Sequence, residues 1–139
     1  MSILIGVNDV WHDIVSQNGV NNEKYELYYN ILVQQIKEAL PDIKIMILEP
    51  FILKGSATEE NWELFRRETE MRAESAKRVA EKNNLLFVPF MNIFDEATKL
   101  APEQYWLYDG VHPTIAGHEL IKTEWIKNFE KNNIDFSGL

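Results

Sequence analysis

Three short apolar runs, separated by long amphipathic stretches, constrain the fold of this chain most. The runs are Ser2–Ile5, Lys44–Leu48 and Leu85–Pro89. Continuous apolar runs of this length are typical of strands that are buried on both faces of a parallel sheet. Because helical stretches separate them, consecutive strands are expected to pair in parallel through right-handed crossovers. The sequence therefore predicts an α/β fold, with residues 1–139 forming a single domain.

Helical periodicity fills the segments between the runs. Helices are predicted at residues 22–40, 58–82, 91–100 and 114–129, and loops at residues 10–22, 51–60 and 101–106. Asn22 is the expected N-cap of the first helix, and Pro41 its end. The inward stripe of that helix is predicted to comprise Tyr25, Tyr28, Tyr29, Leu32, Ile36 and Leu40. Residues 131–139 are expected to fray as a terminal tail.

The composition excludes several classes of function. The formal net charge is −8, which disfavours nucleic acid and anionic membranes as partners, because phosphate binding requires a basic surface. Cysteine is absent, so disulfides, thiolate metal sites and thiol nucleophiles are excluded. No apolar run approaches the roughly 20 residues of a membrane span, and no leader precedes the first run. A cytoplasmic location is the resulting expectation.

Asp109 and His112 stand three residues apart in a tight turn before the last predicted helix. At this spacing the carboxylate can accept a hydrogen bond from the N–H of one ring nitrogen and leave the other nitrogen free as a base. These are the base and the orienting acid of a hydrolytic triad. The structural alternative is a helix-start turn with the aspartate as cap and the histidine on the surface. A metal site that adds His118 is a weaker alternative, since three ligands at this spacing are not specific, and no metal is predicted.

A second polar segment follows the first apolar run. It reads Gly6-Val7-Asn8-Asp9 and lies where open α/β sheets hold ligands, at the carboxyl end of a strand. The uncharged amide of Asn8 suits donation to a developing oxyanion, although a simple turn is the alternative. Asp9 is predicted to hold the loop through hydrogen bonds. Trp11 either lines a pocket or packs within the loop.

Taken together, Gly6 to Asp9 and Asp109 to Pro113 resemble the SGNH (GDSL-type) hydrolase family. The third conserved block of that family reads G-x-N-D and the fifth reads D-x-x-H-P, and the order and spacing here are similar over about residues 2–129. The resemblance implies a flavodoxin-like three-layer α/β/α sandwich with a parallel sheet. It also implies ester hydrolysis through an acyl-enzyme, without a cofactor.

The resemblance assigns roles to individual residues. His112 would be the general base, Asp109 its partner and Asn8 the oxyanion donor, with Gly6, Asp9 and Trp11 on the substrate side. In having a tryptophan just after the N-D pair, the sequence is similar to family members that remove acetyl groups from sugars. An acetylated carbohydrate is therefore the expected substrate, and lysophospholipids and thioesters remain open.

The nucleophile departs from the family pattern. The G-D-S block with its serine, and a second block that supplies an oxyanion-hole glycine, precede G-x-N-D in the family. Here G-x-N-D begins at residue 6, so neither block is in this sequence. None of the serines (Ser2, Ser16, Ser56, Ser75 and Ser137) has a G-D-S context, and Ser56 alone lies in a glycine-containing loop. The sequence is therefore interpreted as the C-terminal part of an SGNH hydrolase that lacks the N-terminal strands.

Two further expectations follow from that interpretation. Without a neighbouring strand, Ile3-Leu4-Ile5 would be an apolar sheet edge, and an open edge invites pairing. It is predicted to be covered by a second copy of the chain, giving a homo-oligomer, or by an N-terminal fragment. The rival hypothesis is an inactive remnant that acts as a binding or assembly module. A nucleotide-binding flavodoxin-like protein is a weaker alternative, because no glycine-rich phosphate loop is present.

Overall fold

The structure, a computed structural model, describes residues 1–131. This range contains three strands and six α-helices, and a single turn of 3-10 helix at Glu59–Asn61 precedes the third helix. The strands are β1 (Ser2–Ile3), β2 (Met46–Leu48) and β3 (Leu86–Val88). The helices are α1 (Val7–Ser16), α2 (Asn22–Ala39), α3 (Trp62–Lys82), α4 (Met91–Ala97), α5 (Glu103–Trp106) and α6 (Ile115–Lys131). The predicted tail at residues 131–139 falls almost wholly outside the described residues.

The sheet is parallel, as predicted, with strand order β1-β2-β3. Ser2 is paired with Met46, and Ile47 is paired with Phe87. The central strand β2 is buried on both faces, which explains why its run shows no polar alternation.

Helices cover both faces of the sheet. Ile45 and Ile47 point to one side, where they pack against α2 and α3. Met46 and Leu48 point to the other side, against α4, α6 and the segment that joins them. Because successive strand residues point to opposite faces, the two cores are separate. The result is the three-layer α/β/α sandwich that the sequence resemblance implied.

Two predicted loops are wrong. Residues 10–16 of the first belong to α1, which begins at Val7. Val7, Val10, Trp11 and Ile14 recur at helical spacing and pack on one side of that helix. The other wrong loop, at residues 101–106, contains the short helix α5. In both cases, residues with strong turn preferences (glycine, asparagine, aspartate or proline) indicated a loop. These residues instead stand at the start of a helix.

The α2 prediction needs two corrections. The N-cap is Asn21, whose side chain accepts a hydrogen bond from the Lys24 amide at 3.0 Å, and not Asn22. The buried stripe is Tyr25, Tyr29 and Val33, whereas Tyr28, Leu32 and Leu40 are exposed. The apolar residues of α2 therefore exceed what one sheet face can cover.

Strand β1 lies at an edge of the sheet. Among the described strands it has β2 as its one neighbour. Just beyond it, Leu4 is 43% exposed and Ile5 is 39% exposed. Across residues 1–131, no helix combines the length and apolar character that a bilayer span requires.

Candidate active site

The Asp109–His112 pair forms inside one rigid turn. The Nδ1 atom of His112 lies 2.8 Å from Oδ2 of Asp109. The other carboxylate oxygen, Oδ1, accepts hydrogen bonds from the backbone amides of Val111 (3.0 Å) and His112 (2.9 Å). The Tyr108 amide closes the turn by donating to the His112 carbonyl at 2.8 Å. The aspartate thus acts both as the cap of the turn and as the partner of the imidazole.

These hydrogen bonds determine the protonation of Asp109. Burial by itself raises the pKa of its carboxyl, but the hydrogen bonds from the His112 amide and ring and from the Val111 amide outweigh that effect, so the pKa lies below its ordinary value. The carboxylate is therefore ionised at neutral pH and accepts a hydrogen bond from Nδ1–H. In the neutral ring, Nε2 is then the nitrogen with a free lone pair.

The loop that follows β2 supports this turn. The Leu53 amide donates to the Gly110 carbonyl at 2.8 Å, and the Ala57 amide donates to the Asp109 carbonyl at 2.9 Å. The buried hydroxyl of Thr58 holds the loop by donating to the Leu53 carbonyl at 2.8 Å. Gly110 has a φ of +97°, which favours glycine there. The loop therefore holds the backbone of the turn that carries Asp109 and His112.

The Gly6-to-Asp9 segment forms the start of α1. Gly6 is the N-cap residue with a φ of +130°, and the Val10 amide bonds its carbonyl at 3.3 Å. Asn8 is exposed in the first helical turn, with Asp9 beside it. The amides of a first turn have no partner within the helix, and they give the helix N-terminus a partial positive charge. Asn8 therefore lies where both its amide group and the helix favour negative charge.

A buried layer lies beneath this helix start. Arg72 of α3 is 1% exposed and donates from Nη1 to Glu68 at 2.9 Å and from Nη2 to the Val20 carbonyl at 2.7 Å. Burial raises the pKa of Asp9, while the positive charge of Arg72 opposes that rise. A Cβ on Gly6 would lie 3.1 Å from the Tyr25 hydroxyl, so the glycine also allows close packing here.

The two motifs face one cleft, referred to below as the His112 cleft. Its volume is about 380 Å³, and its walls include Ile5, Gly6, Asn8, Asp9, Phe51, Val111 and His112. Asp109 stands behind His112 as its hydrogen-bond partner. The fold therefore brings together the predicted base and the predicted oxyanion donor, which are 104 residues apart in sequence.

Trp11 lies next to the imidazole and outside the wall of the cleft. Its ring centroid is 6.0 Å from that of His112, at an interplanar angle of 52°. On its other side it meets Phe65 edge-on, with centroids 6.3 Å apart. Trp11 thus packs between the histidine and α3, and its predicted contact with substrate remains a prediction.

No serine of residues 1–131 lies in the wall of the His112 cleft. The hydroxyl of Ser2 accepts a hydrogen bond from Trp125, and that of Ser75 is buried against Asn22 and Arg78. Ser16 and Ser56 are exposed elsewhere, and Ser137 falls beyond the described range. In the same range no three His, Asp or Glu side chains converge on a point where they could hold a metal ion.

Sequence reasoning missed the groups that support the site. Arg72 and the loop of Gly55 and Thr58 were not singled out, and neither was the helical character of Asn8. One signal was available for Arg72, because it falls on the buried stripe of α3 that includes Phe65, Thr69, Ala76 and Val79. A charged residue on an inward helical stripe is rarely buried without a specific partner.

Known proteins resemble this chain over most of its length. The model of the GDSL-like Lipase/Acylhydrolase family matches residues 1–120, so the chain belongs to that family. An acetylxylan esterase from Geobacillus stearothermophilus is 30% identical over 132 residues, which cover 91% of this chain and 57% of that protein. The chain thus spans little more than half the length of this relative.

Solved structures extend the similarity to the fold. A protein described as a GDSL-like lipase from Parabacteroides merdae superposes with a TM-score of 0.87 and 39% identity, covering 93% of this chain and 59% of the other. The Geobacillus acetylxylan esterase Axe2 gives a TM-score of 0.76 and 28% identity, covering 91% and 57%. Both structures place this chain within the same three-layer arrangement.

Proposed function

We propose that this chain supplies the base, the acid and the oxyanion donor of a carboxylic ester hydrolase. The observation that carries the proposal is the meeting of the Asp109–His112 pair and Asn8 at one cleft of about 380 Å³. Membership in the GDSL-like lipase/acylhydrolase family supports the same reaction class.

The proposed reaction is acyl transfer to a serine and then to water. The serine Oγ attacks the ester carbonyl while Nε2 of His112 takes its proton. The imidazolium then gives that proton to the alcohol as the ester C–O bond breaks, leaving an acyl-enzyme. Water repeats the attack with His112 again as base, which releases the carboxylic acid and restores the serine. Throughout, Asp109 keeps the ring in its productive tautomer.

Asn8 and the start of α1 stabilise the charge that appears on the carbonyl oxygen. The Asn8 amide donates without bringing a charge, and the unpaired amides of the first helical turn favour an anion. One such side-chain donor contributes about 3–4 kcal/mol to lowering the barrier.

The serine, in this proposal, comes from polypeptide outside these 139 residues. Two observations support this: the wall of the His112 cleft contains no described serine, and β1 leaves the apolar residues Leu4 and Ile5 exposed next to that cleft. A strand that pairs with β1 would end beside Gly6, because parallel strands end at the same edge of a sheet. The covering segment and the nucleophile would then be one and the same.

An acetylated carbohydrate is the proposed substrate class. The relative from Geobacillus stearothermophilus is an acetylxylan esterase, and it is similar over 91% of this chain. The largely apolar wall of the cleft also suits a small acyl group, since only Asp9 and His112 among its residues can carry charge.

The test is a chimera. The part of the Parabacteroides merdae protein that precedes the matched region is joined to Met1, and the product is assayed with p-nitrophenyl acetate and a fluorophosphonate probe. We expect hydrolysis and a single labelled serine in the added part. His112→Ala should reduce kcat by at least about a thousandfold, and Asn8→Ala by about a hundredfold to a thousandfold.

The matched controls are His118→Ala and Asn92→Ala, exposed residues outside the cleft wall, which should retain full activity. Hydrolysis that survives His112→Ala would contradict the proposal. Probe labelling of a serine within the unextended chain would overturn the external origin of the nucleophile. A well-folded but inactive chimera would favour the second candidate, a binding or assembly module. The observation that favours this candidate is that no serine of residues 1–131 lines the cleft.

A further inference from the structure

A second depression, wider than the His112 cleft, lies between α5 and α6. This α5–α6 groove has a volume of about 770 Å³, about twice that of the His112 cleft, and its wall includes Gln104, Tyr105, Trp106, Tyr108, Ile115 and Glu119. Its aromatic residues come from α5 and from the turn that carries Asp109. Nothing in the proposed ester chemistry uses it.

The aromatic wall of the groove is held rigidly. The Trp106 indole nitrogen donates to the Ala101 carbonyl at 3.1 Å. The Thr114 hydroxyl donates to the Tyr105 carbonyl at 2.6 Å, which ties α5 to the start of α6. The Tyr105 ring meets Trp106 edge-on, with centroids 4.9 Å apart. The Trp106 ring and the backbone that carries Tyr105 are therefore positioned before any ligand arrives, which lowers the entropy cost of binding.

The polar chemistry of the groove suits an uncharged, hydroxylated ligand. Tyr105 is 54% exposed and Tyr108 is 67% exposed. Within residues 1–131, neither phenol hydroxyl nor the Gln104 amide group has a hydrogen-bond partner. The carboxylate of Glu119 is paired with Lys122, so the groove presents little net charge. Exposed ring faces beside free hydroxyl and amide groups match a pyranose ring, which has apolar C–H faces and a polar rim.

The groove borders the turn that carries Asp109 and His112. Tyr108 lies directly before Asp109, and its amide is bonded to the His112 carbonyl at 2.8 Å. The groove wall takes Tyr108 and Thr114 from this part of the chain, and the wall of the His112 cleft takes Val111, His112 and Pro113. A glycan in the groove would therefore lie beside the turn that carries the proposed base.

We infer that the α5–α6 groove binds the glycan part of the substrate, with unacetylated pyranose rings of a xylan-type chain stacked on Tyr105 and Tyr108. The inference rests on the proposed function for its substrate class. It assigns these two tyrosines to recognition of the polysaccharide and leaves the ester to the His112 cleft.

The test is binding of unacetylated xylohexaose to the 139-residue chain. Binding is measured by calorimetry and by the NMR signal of the Trp106 indole N–H. The ligand carries no ester, so binding is independent of any nucleophile. We expect saturable binding with a shift of the Trp106 signal. Tyr105→Ala and Tyr108→Ala should each weaken the affinity about tenfold. The matched control is Tyr28→Ala, which removes a ring that is 55% exposed on α2 and should leave the affinity unchanged.

Absence of binding by the folded wild-type chain would overturn the inference, and so would equal affinity in the Tyr105→Ala, Tyr108→Ala double variant. Sedimentation tests whether the double variant loses self-association. If it does, and the sugar has no effect on the wild-type chain, the inference is overturned and the groove is assigned to a protein contact. These outcomes are distinct from failure of the proposed function, which appears as an inactive chimera.

Discussion

Gly55 lies directly against the backbone of Asp109. A Cβ at position 55 would come within 2.3 Å of the Asp109 carbonyl carbon and 2.5 Å of the Gly110 nitrogen. No side chain fits this space without moving the turn that carries Asp109 and His112. The half-buried Gly55 therefore allows the loop after β2 to pack on the backbone of Asp109.

Gly55→Ala should displace that turn. Because the added methyl group meets backbone and not a flexible side chain, we expect the free energy of unfolding to fall by about 1–3 kcal/mol. The low-field NMR signal of the His112 Nδ1 proton, which reports the bond to Asp109, should weaken or shift. Lys54→Ala, at the exposed neighbouring residue, is the control and should change neither quantity. An unchanged proton signal in Gly55→Ala would contradict this role.

Asp109→Asn should change how stability depends on pH. The hydrogen bonds from His112 and Val111 overcome the effect of burial and hold the pKa of Asp109 below its ordinary value of 3.8. A group with a depressed folded-state pKa contributes stability that is fully present above 3.8 and is lost as the pH falls through the folded pKa. Urea unfolding of both proteins should therefore show a wild-type advantage near neutral pH that shrinks in acid. Parallel curves would argue against the hydrogen-bonded carboxylate.

Asp9→Asn should have the opposite dependence on pH. Burial raises the pKa of Asp9 above 3.8, in spite of the nearby charge of Arg72. The folded state then holds the proton more tightly than the unfolded state, so the wild-type chain loses stability as the pH rises from 3.8 through the folded pKa. In the same urea series, the stability of Asp9→Asn relative to wild type should increase over that window. A relative stability that decreases there would contradict the raised pKa.

Arg72→Met should be severely destabilising. The guanidinium is 1% exposed, and it donates to Glu68, one turn earlier in α3, and to the Val20 carbonyl, which lies before α2. Removing one partner of a buried charge pair costs about 3–5 kcal/mol, because the other groups lose their compensation. Guanidinium chloride unfolding measures this loss.

Arg67→Met is the matched control, because Arg67 also pairs with Glu68 but its side chain is 66% exposed. Its effect should stay within about 0.5 kcal/mol. Similar losses in both variants would mean that burial of Arg72 is not what matters.

The sequence predicted the strand β2 and the turn of Asp109 and His112 for a common reason, which is that each depends on neighbours in the chain. The apolar run at Lys44–Leu48 needs only length and bounding residues to indicate a buried strand, and β2 forms there. Asp109 and His112 are three residues apart, so their bond follows from one turn. The family motifs also predicted that Asn8 and His112 would share a cleft.

What could not be predicted depends on contacts between distant segments. Nothing near Gly55 in sequence indicates that it will pack on Asp109, 54 positions away. The helix at Val7–Ser16 was missed because Gly6 and Asn8 have strong turn preferences, and tertiary packing of Val10 against Phe65 overrides them. The buried stripe of α2 was likewise predicted wrongly, because that helix has more apolar residues than it buries.

Strand β1 is joined to β2 through only two residue pairs, Ser2 with Met46 and Ile3 with Ile47, across more than 40 positions of sequence. Its backbone pairing is thus short and bridges distant segments, whereas the turn at residues 108–113 closes locally. Native-state hydrogen exchange should accordingly be faster in β1 than in β2 and β3. The residues that follow β1 form one wall of the His112 cleft, so we expect that wall to exchange faster than the turn that carries the imidazole.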